Sequence, residues 1–410
     1  MPTVSILSTG YEVLRGFTPN TNATWLARRA TEAGARVVGV RTVGDALPEL
    51  VRGLRDALAE ASTVLVTGGL GPTEDDRTRE ALGVVAGVFL EDDARAWRIV
   101  AAYFERSRRA PSAVQRRQAL VPRGFEPMDN LEGTAPGIAG QVGDRRVFLL
   151  PGPPREMRAM FDAEVWPRWR LDGGFDEAAA RVIWTAGAPE SDVAAPIEEL
   201  MRLAEPTVGT HPDDGEVAVR ILARGDGAAA RADRLRDEIV DRLGAHVVST
   251  AEDERVQHAV VALLRAEGLS ITTAESITGG LVARMLVEVP GASAVFPGGY
   301  VTYSDEWKRD VLGVPSELLE RYGAVSEPVA LAMADRARVL ARADVALSTT
   351  GFAGPSAIPG ASPGPVFAAV SSRFEPTFAV SFTSAVARPA VQRRTAVLAL
   401  DLARRLLARR

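Results

Sequence analysis

The sequence predicts an α/β protein of several domains, with parallel sheets covered by helices toward both ends of the chain and a small α+β module between them. Three observations predict it. Short apolar runs without clean alternation are separated by helical patterns of 12 to 16 residues, as expected of strands buried on both faces. From about residue 172 to 250 the pattern changes to alternation, as in EVAVRILA (Glu216 to Ala223), which suits a sheet with one open face. Glycine-rich loops follow two of the expected strands, in VLVTGGLGPTEDD (Val64 to Asp76) and SITTAESITGG (Ser270 to Gly280), and parallel sheets bind their ligands beyond such strand ends.

The elements follow in order. Thr3 to Ser8 is a short apolar strand, and Asn20 to Ala35 a helix with Asn or Thr in capping position. Arg36 to Asp45 reads as a strand, Pro48 to Glu60 as a helix with proline in its first turn, and Ser62 to Thr67 as the strand that feeds the glycine loop. A helix is expected to start near Pro72 or Thr73. RRVFLLPGPPREM (Arg145 to Met157) is a strand running into a loop with three prolines, which alone reads as a rigid strand-to-helix turn; Gly152 is its one position able to lie against a ligand, and Glu156 opens the next helix. Between 172 and 250 the order reads strand, helix, strand, helix, strand. Val256 to Leu269 is a helix, followed by a short β run that leads into Glu275 and Ser276, and Ala346 to Pro355 gives another strand with a glycine loop at its end.

Composition excludes several classes. The 410 residues, 46% hydrophobic and 25% charged, suit about two to four ordinary globular domains. A formal net charge of -5 gives no basic footprint for nucleic acid or an anionic membrane. The absence of cysteine removes disulfides, thiolate catalysis and cysteine-held metals. Three scattered histidines, His211, His246 and His258, read as surface or packing residues. No run of about 18 apolar residues occurs, and the start is neither basic nor long and apolar, so a cytoplasmic protein is expected.

In the first glycine loop, Gly68, Gly69 and Gly71 allow backbone amides to approach an anion closely. Asp75 and Asp76 beside a phosphate make sense when a divalent cation sits between them, and Asp45, at the end of a neighbouring strand, adds a third carboxylate. Taken alone, the loop reads equally well as a tight turn, the acids as first-turn residues that favour a helix dipole, and Asp45 as a cap.

Together with GYEVLRG (Gly10 to Gly16), NTN (Asn20 to Asn22), VGD (Val43 to Asp45), GTAPG (Gly133 to Gly137) and LPGPPREM, this loop resembles the amino-terminal domain of the CinA family, which is related to molybdopterin-binding proteins. The resemblance spans nearly all of residues 1–168. It implies a molybdopterin-binding-like parallel-sheet domain that cuts ADP-ribose to AMP and ribose 5-phosphate with a divalent cation. It further implies Asp45, Asp76 and Asp75 at the metal, the Gly69 to Thr73 loop, with Gly69, Gly71 and Thr73, as a phosphate cradle, and Asn22, Thr134, Gly152 and Glu156 at the substrate. Tyr11 stands where the family usually has threonine.

The segment 172–250 carries no catalytic cluster and matches in position the family's KH-like α+β connecting domain, here read as a spacer or dimer element.

The second glycine loop raises the other chemistry. A serine on a strand-to-helix turn followed by two glycines can serve as a nucleophile beside an oxyanion hole, although such a serine is more often a helix N-cap. Lys308 follows Ser276 by 32 positions with Tyr303 between them, and no histidine lies near. A desolvated lysine can act as the base in its place. TAESITGG, YVTYSDEWK, GAVSEPVA (Gly323 to Ala330) and TGFAGP resemble the carboxy-terminal CinA domain over roughly residues 254–408. The resemblance implies an α/β amidohydrolase that needs no cofactor and deamidates nicotinamide mononucleotide. Ser276 is then the nucleophile, Lys308 the base and Tyr303 an orienting or proton-transfer group, with Thr278, Gly279, Gly280, Thr350, Gly351, Gly354 and Arg388 at the substrate.

This sequence departs from that pattern at Ile277, where cysteine is usual, in Ser356 to Val370, where a lysine is missing and Pro365 replaces threonine, and in Thr383 to Arg394, where Ala387 replaces aspartate. Both implied activities act on pyridine-nucleotide breakdown products and suggest NAD recycling by a homodimer without nucleic-acid or membrane partners. The competing reading is a non-catalytic nucleotide- or molybdopterin-binding protein with one or both sites degenerate.

Overall fold

A computed structural model describes residues 1–354, 364–383 and 387–410. The chain forms two compact units, one of Met1–Ala179 with Arg224–Ala228, the other of Ala180–Ala223 with Ala229–Arg410.

The strands of the first unit are β1 (Thr3–Thr9), β2 (Arg36–Val43), β3 (Thr63–Thr67), β4 (Leu90–Asp92), β5 (Leu120–Pro122), β6 (Glu126–Met128), β7 (Gly137–Val142) and β8 (Arg145–Leu150). Six of them make one sheet in the order β2-β1-β3-β8-β7-β6, and β4 pairs separately with β5. The first four run parallel, while β7 and β6 extend the sheet antiparallel. Period-2 geometry explains why these strands read as continuous apolar runs. Ile6, Leu65 and Phe148 pack on one face against Leu26, Met157 and Trp169. Leu7, Val64, Val66 and Leu149 pack on the other against Leu54, Ala57 and Leu82.

One boundary differs from the sequence reading. The helix after the first glycine loop spans Thr78–Ala86, not a start near Pro72. The Asp76 carboxylate accepts from the Thr73 N–H at 2.9 Å and from the Thr73 hydroxyl, which closes residues 73–76 into a turn before the helix begins.

The second unit contains β9 (Ala178–Ala186), β10 (Thr207–Asp213), β11 (Glu216–Arg224) and β12 (Val247–Ser249) in a four-stranded sheet ordered β10-β11-β9-β12. The sequence reading had missed β10, a polar strand carrying Gly209 and Pro212, which exists through its antiparallel pairing with β11. The remaining strands, β13 (Ile271–Glu275), β14 (Gly298–Val301), β15 (Val345–Gly351), β16 (Pro365–Ser372) and β17 (Phe378–Thr383), form a sheet ordered β14-β13-β15-β16-β17. Its first three strands are parallel, the last two antiparallel.

The two sheets of this unit are joined by more than chain connection. Ala186 belongs to the core that contains Val256, Val260 and Leu400. The Arg404 guanidinium donates to the carbonyls of Val247 at 3.0 Å and Ala245 at 2.6 Å. Glu216, on β11, accepts the N–H of Val256, the first residue of the Val256–Glu267 helix, at 3.1 Å. The connecting module is therefore packed into the carboxy-terminal domain. Among the described residues, no helix is long and apolar enough to cross a membrane.

Candidate active sites

In the first unit, β1, β3 and β8 are neighbours whose carboxyl ends finish at Thr9, Thr67 and Leu150. Beyond them lies a cavity of about 520 Å³ lined by Asn22, Asp45, Gly69, Gly71, Asp75, Asp76, Thr134, Gly152 and Glu156. Of the residues the sequence assigns here, Thr73 alone is absent from the lining; its hydroxyl donates to Asp76 instead.

Backbone strain explains the loop's composition. Gly69 has φ +67°, and a Cβ there would overlap the Thr78 hydroxyl; a Cβ on Gly71 would overlap the Asp76 carboxylate. Asn22 donates from Nδ2 to the Thr67 hydroxyl at 2.9 Å and to the Gly152 carbonyl at 2.7 Å, tying the proline loop to β3. Glu156 accepts from Asn130 Nδ2 at 2.8 Å.

Asp45 accepts the Tyr11 N–H at 3.0 Å. Burial pushes its carboxyl above the usual range, and the neighbouring charges of Glu12, Asp75 and Asp76 push the same way. The Tyr11 ring packs against Gly44, with the Arg15 guanidinium 4.8 Å from its centroid, and Tyr11 does not line the cavity. Among the described residues, no group of three or more His, Asp or Glu side chains converges as a metal cage.

Sequence reasoning missed Gln118 and Arg79. Gln118, 1% exposed, lines the cavity and donates to the Thr134 hydroxyl at 3.1 Å. A charged residue inside a helix and an isolated glutamine both read as surface positions.

In the second unit, Ser276 follows β13 directly, and its N–H donates to the Thr349 carbonyl at 2.9 Å on neighbouring β15. Tyr303 and Lys308 follow β14, the neighbour on the other side. The topology brings all three to one sheet edge.

Glu275 organises the serine loop, a role the sequence did not reveal. This buried carboxylate accepts from the Thr278 hydroxyl at 2.7 Å and the N–H groups of Gly280 at 3.0 Å, Val282 at 3.0 Å and Ala283 at 2.8 Å. Gly279 and Gly280 have positive φ, +59° and +99°. The Thr278 hydroxyl is spent within the loop, and that of Thr350 donates to the Ala324 carbonyl at 2.7 Å. Among the described residues, the N–H groups of Ile277 and Thr278 have no acceptor. The Ile277 side chain is 3% exposed and packs with Ala353, Val366 and Val391, which accounts for an apolar residue at that position.

Lys308 is 1% exposed. Its ammonium donates to the Tyr303 carbonyl at 3.3 Å, and the Asp305 carboxylate lies 3.7 Å away. Burial pulls its pKa below the ordinary lysine value, against the opposing pull of Asp305. Tyr303 is 61% exposed, and its hydroxyl accepts from Arg388 at 3.3 Å. The same guanidinium donates to the Gly354 carbonyl at 3.3 Å, so Tyr303, Gly354 and Arg388 meet. Arg388 follows Ala387, whose side chain offers the final helix no cap. Pro365 opens β16, the strand position proline tolerates. Within the divergent segments, residues 356–363 and 384–386 lie outside the described residues.

Each of the two α/β sheets thus carries a glycine loop and a candidate site at its carboxyl strand ends, with an α+β module packed beside the second, and this defines the class of protein. Family models match along the whole chain: "Probable molybdopterin binding domain" over residues 5–170, "Damage-inducible protein CinA KH domain" over 180–249 and "CinA C-terminal domain" over 253–407. A CinA-like protein of Parasynechococcus marenigrum is 39% identical over 414 residues, covering 99% of this chain and 98% of the relative. One from Akkermansia muciniphila is 41% identical, covering 86% and 84%. A solved CinA structure of unknown function from Thermoplasma acidophilum is 33% identical, covering 40% of this chain and 98% of that one, at a TM-score of 0.38. The chain belongs to the CinA family.

Proposed function

We propose that the carboxy-terminal domain hydrolyses the carboxamide of nicotinamide mononucleotide to nicotinate mononucleotide and ammonia. The observation that carries the reading is Lys308, a buried amine whose pKa is lowered by desolvation, at the same sheet edge as Ser276. In its neutral form the amine takes the Ser276 hydroxyl proton as the oxygen attacks the carboxamide carbon. The unpaired Ile277 and Thr278 N–H groups receive the oxyanion. Lys308 returns the proton to the departing nitrogen, and ammonia leaves. Water then attacks the acyl-serine, giving its proton to Lys308 and its hydroxyl to the carbonyl carbon, and the serine is restored. Tyr303 orients the exchange, and Arg388 offers its charge to the substrate phosphate. Ammonia release from nicotinamide mononucleotide by the purified protein, with Ser276→Ala as control, is the test. Release that survives the substitution, or none from the wild type, removes the reading.

A second activity is supported by the crowding of Asp45, Asp75 and Asp76 in the first cavity. We propose that this site adds water across the diphosphate of ADP-ribose to give AMP and ribose 5-phosphate. The donor set is hard oxygen, which suits a small divalent cation, and such ions are commonly held by one or two carboxylates together with substrate phosphates instead of a full protein cage. Asp45 and Asp76, with Asp75, would hold the ion, which supplies charge neutralisation and polarisation of the phosphoryl oxygens. The glycine loop cradles the phosphates. AMP formation with added divalent cation, lost in Asp76→Asn, is the measurement; nucleotide binding without either product would favour the non-catalytic alternative.

The same reading takes the protein to act as a cytoplasmic homodimer in NAD recycling, without nucleic-acid or membrane partners. Sedimentation and salt-dependent DNA binding test the dimer and the absence of a DNA partner.

A further inference from the structure

The glycine loop after β3 has its carbonyl side occupied from behind. The Gly68 carbonyl accepts the Thr78 hydroxyl at 2.9 Å, and that of Gly69 accepts the Thr78 N–H at 3.3 Å. The Leu70 carbonyl accepts the Arg79 guanidinium and Gln118 Nε2, the latter at 3.4 Å, and that of Gly71 accepts Arg79 at 3.2 Å. In a trans peptide the N–H points opposite to the C=O. Holding the carbonyls of residues 68–70 on one side therefore turns the N–H groups of Gly69, Leu70 and Gly71 to the other. Among the described residues these three N–H groups have no acceptor, and all three residues line the cavity. Successive outward amides of this kind form an anion-binding concavity.

Arg79 adds a charge to this arrangement. It is 2% exposed, its Nε has no hydrogen-bond partner, and among the described residues it makes no ion pair. Burial pushes it down to about 10, against the opposing pull of the Glu80 and Asp76 charges. A buried cation with no carboxylate in direct contact is costly, and an anion across the loop would add to the partial balance those two charges give. The peptide groups between Arg79 and such an anion are already polarised in the matching sense, carbonyls toward the guanidinium and N–H groups toward the cavity.

We infer that Arg79 is a positioning residue for diphosphate binding: it fixes and polarises the Gly69 to Gly71 amides without touching the ligand. This rests on the reading of the cavity as a diphosphate site. The experiment is calorimetric titration of the full chain with inorganic pyrophosphate, ADP-ribose and adenosine, for the wild type, Arg79→Met and Arg79→Lys. Arg79→Met should weaken the two phosphate ligands by about 10- to 100-fold and leave adenosine unchanged. In turnover of ADP-ribose it should raise KM with kcat nearly constant, as for lost uniform binding. Arg79→Lys keeps the charge but not the paired donors and should fall between; it also carries the test if the methionine variant does not fold. Wild-type affinity for pyrophosphate in the variants, or an equal loss for adenosine, overturns the role of Arg79 alone. A wild type that binds neither phosphate ligand overturns the diphosphate reading as well.

Discussion

The Lys308 ammonium donates to the main-chain carbonyl of Tyr303 at 3.3 Å, with the Asp305 carboxylate 3.7 Å away. The carbonyl accepts from the amine in either protonation state, and burial outweighs the pull of Asp305, so the amine loses its proton more readily than an ordinary lysine. Amide hydrolysis should therefore rise with pH through an apparent pKa below the ordinary lysine value of 10.5, and Lys308→Met should lower kcat by about 10²- to 10⁴-fold. Stability moves in the same direction. Because the folded value is depressed, the unfolded chain binds the proton more tightly, and stability rises with pH across the window between the two values. Lys308→Met has no charge to bury, so below that window it should melt higher than the wild type, at about 2–4 °C for each kcal/mol gained. Thermal unfolding and a pH–rate profile on the same preparation check both.

Glu275 makes a different prediction. Its carboxylate engages the amides of Gly280, Val282 and Ala283, while those of Ile277 and Thr278 are left unpaired beside the serine. Glu275→Gln turns an N–H group toward donors and should disorder this division. We expect kcat for amide hydrolysis to fall by about 10²- to 10³-fold, the scale of a lost oxyanion donor, with a smaller change in KM. A fall confined to KM would remove the assignment.

What the sequence revealed, and what it hid, follows from the range of the forces involved. Strands such as β3 and β8 were legible because burial on both faces demands a nearly unbroken apolar run, and the glycine loops because left-handed backbone at Gly69, Gly279 and Gly280 favours glycine. The polar strand β10 was not, since its pairing with β11 supplies what its own residues lack. The start at Thr78 was hidden because one side chain, Asp76, closes the preceding turn. Glu275 and Arg79 were hidden for a common reason: each is a charged residue whose role comes entirely from tertiary burial. The packing of the connecting module onto the carboxy-terminal domain likewise depends on long-range contacts, such as Arg404 with Val247.

Gly69 tests the first loop directly. Its φ of +67° and the Thr78 hydroxyl behind it leave no space for a methyl group. Gly69→Ala should cost about 1–2 kcal/mol from the left-handed backbone alone, and more as Thr78 is displaced from the Gly68 carbonyl. ADP-ribose binding should be lost, while ammonia release from nicotinamide mononucleotide stays within about twofold of the wild type, since distant sites are usually independent. Parallel assays of the two products check this.

Arg388 joins the Tyr303 hydroxyl to the Gly354 carbonyl from an exposed position. If its charge serves the substrate phosphate, Arg388→Met should raise KM for nicotinamide mononucleotide by about 10-fold or more, the worth of one charge-assisted contact, and leave kcat nearly unchanged. Phosphate-free nicotinamide riboside should be converted equally by both proteins. A matching loss with the riboside would assign Arg388 to the support of Tyr303 instead.

Glu216 is one of the residues through which the connecting module grips the carboxy-terminal domain. It is 1% exposed, caps Val256 through Oε1, and leaves Oε2 without a hydrogen bond, 3.5 Å from Arg255 and 3.9 Å from Arg393. Burial pushes its carboxyl above 4.5 despite both arginines. A carboxyl raised on folding favours the native state most below its unfolded value, and that contribution is lost as pH rises through the folded one. Glu216→Gln keeps an acceptor for the Val256 N–H and has no proton to lose. It should match or exceed the wild type at neutral pH and flatten the decline with pH. Glu216→Ala removes the cap as well and should be destabilised by about 1–2 kcal/mol at all pH values. Thermal unfolding of the three proteins between about pH 4 and 8 separates these outcomes. Should the glutamine variant melt with the alanine variant, well below the wild type at neutral pH, the ion pairs with Arg255 and Arg393 would be what fastens the module, and the cap would count for little.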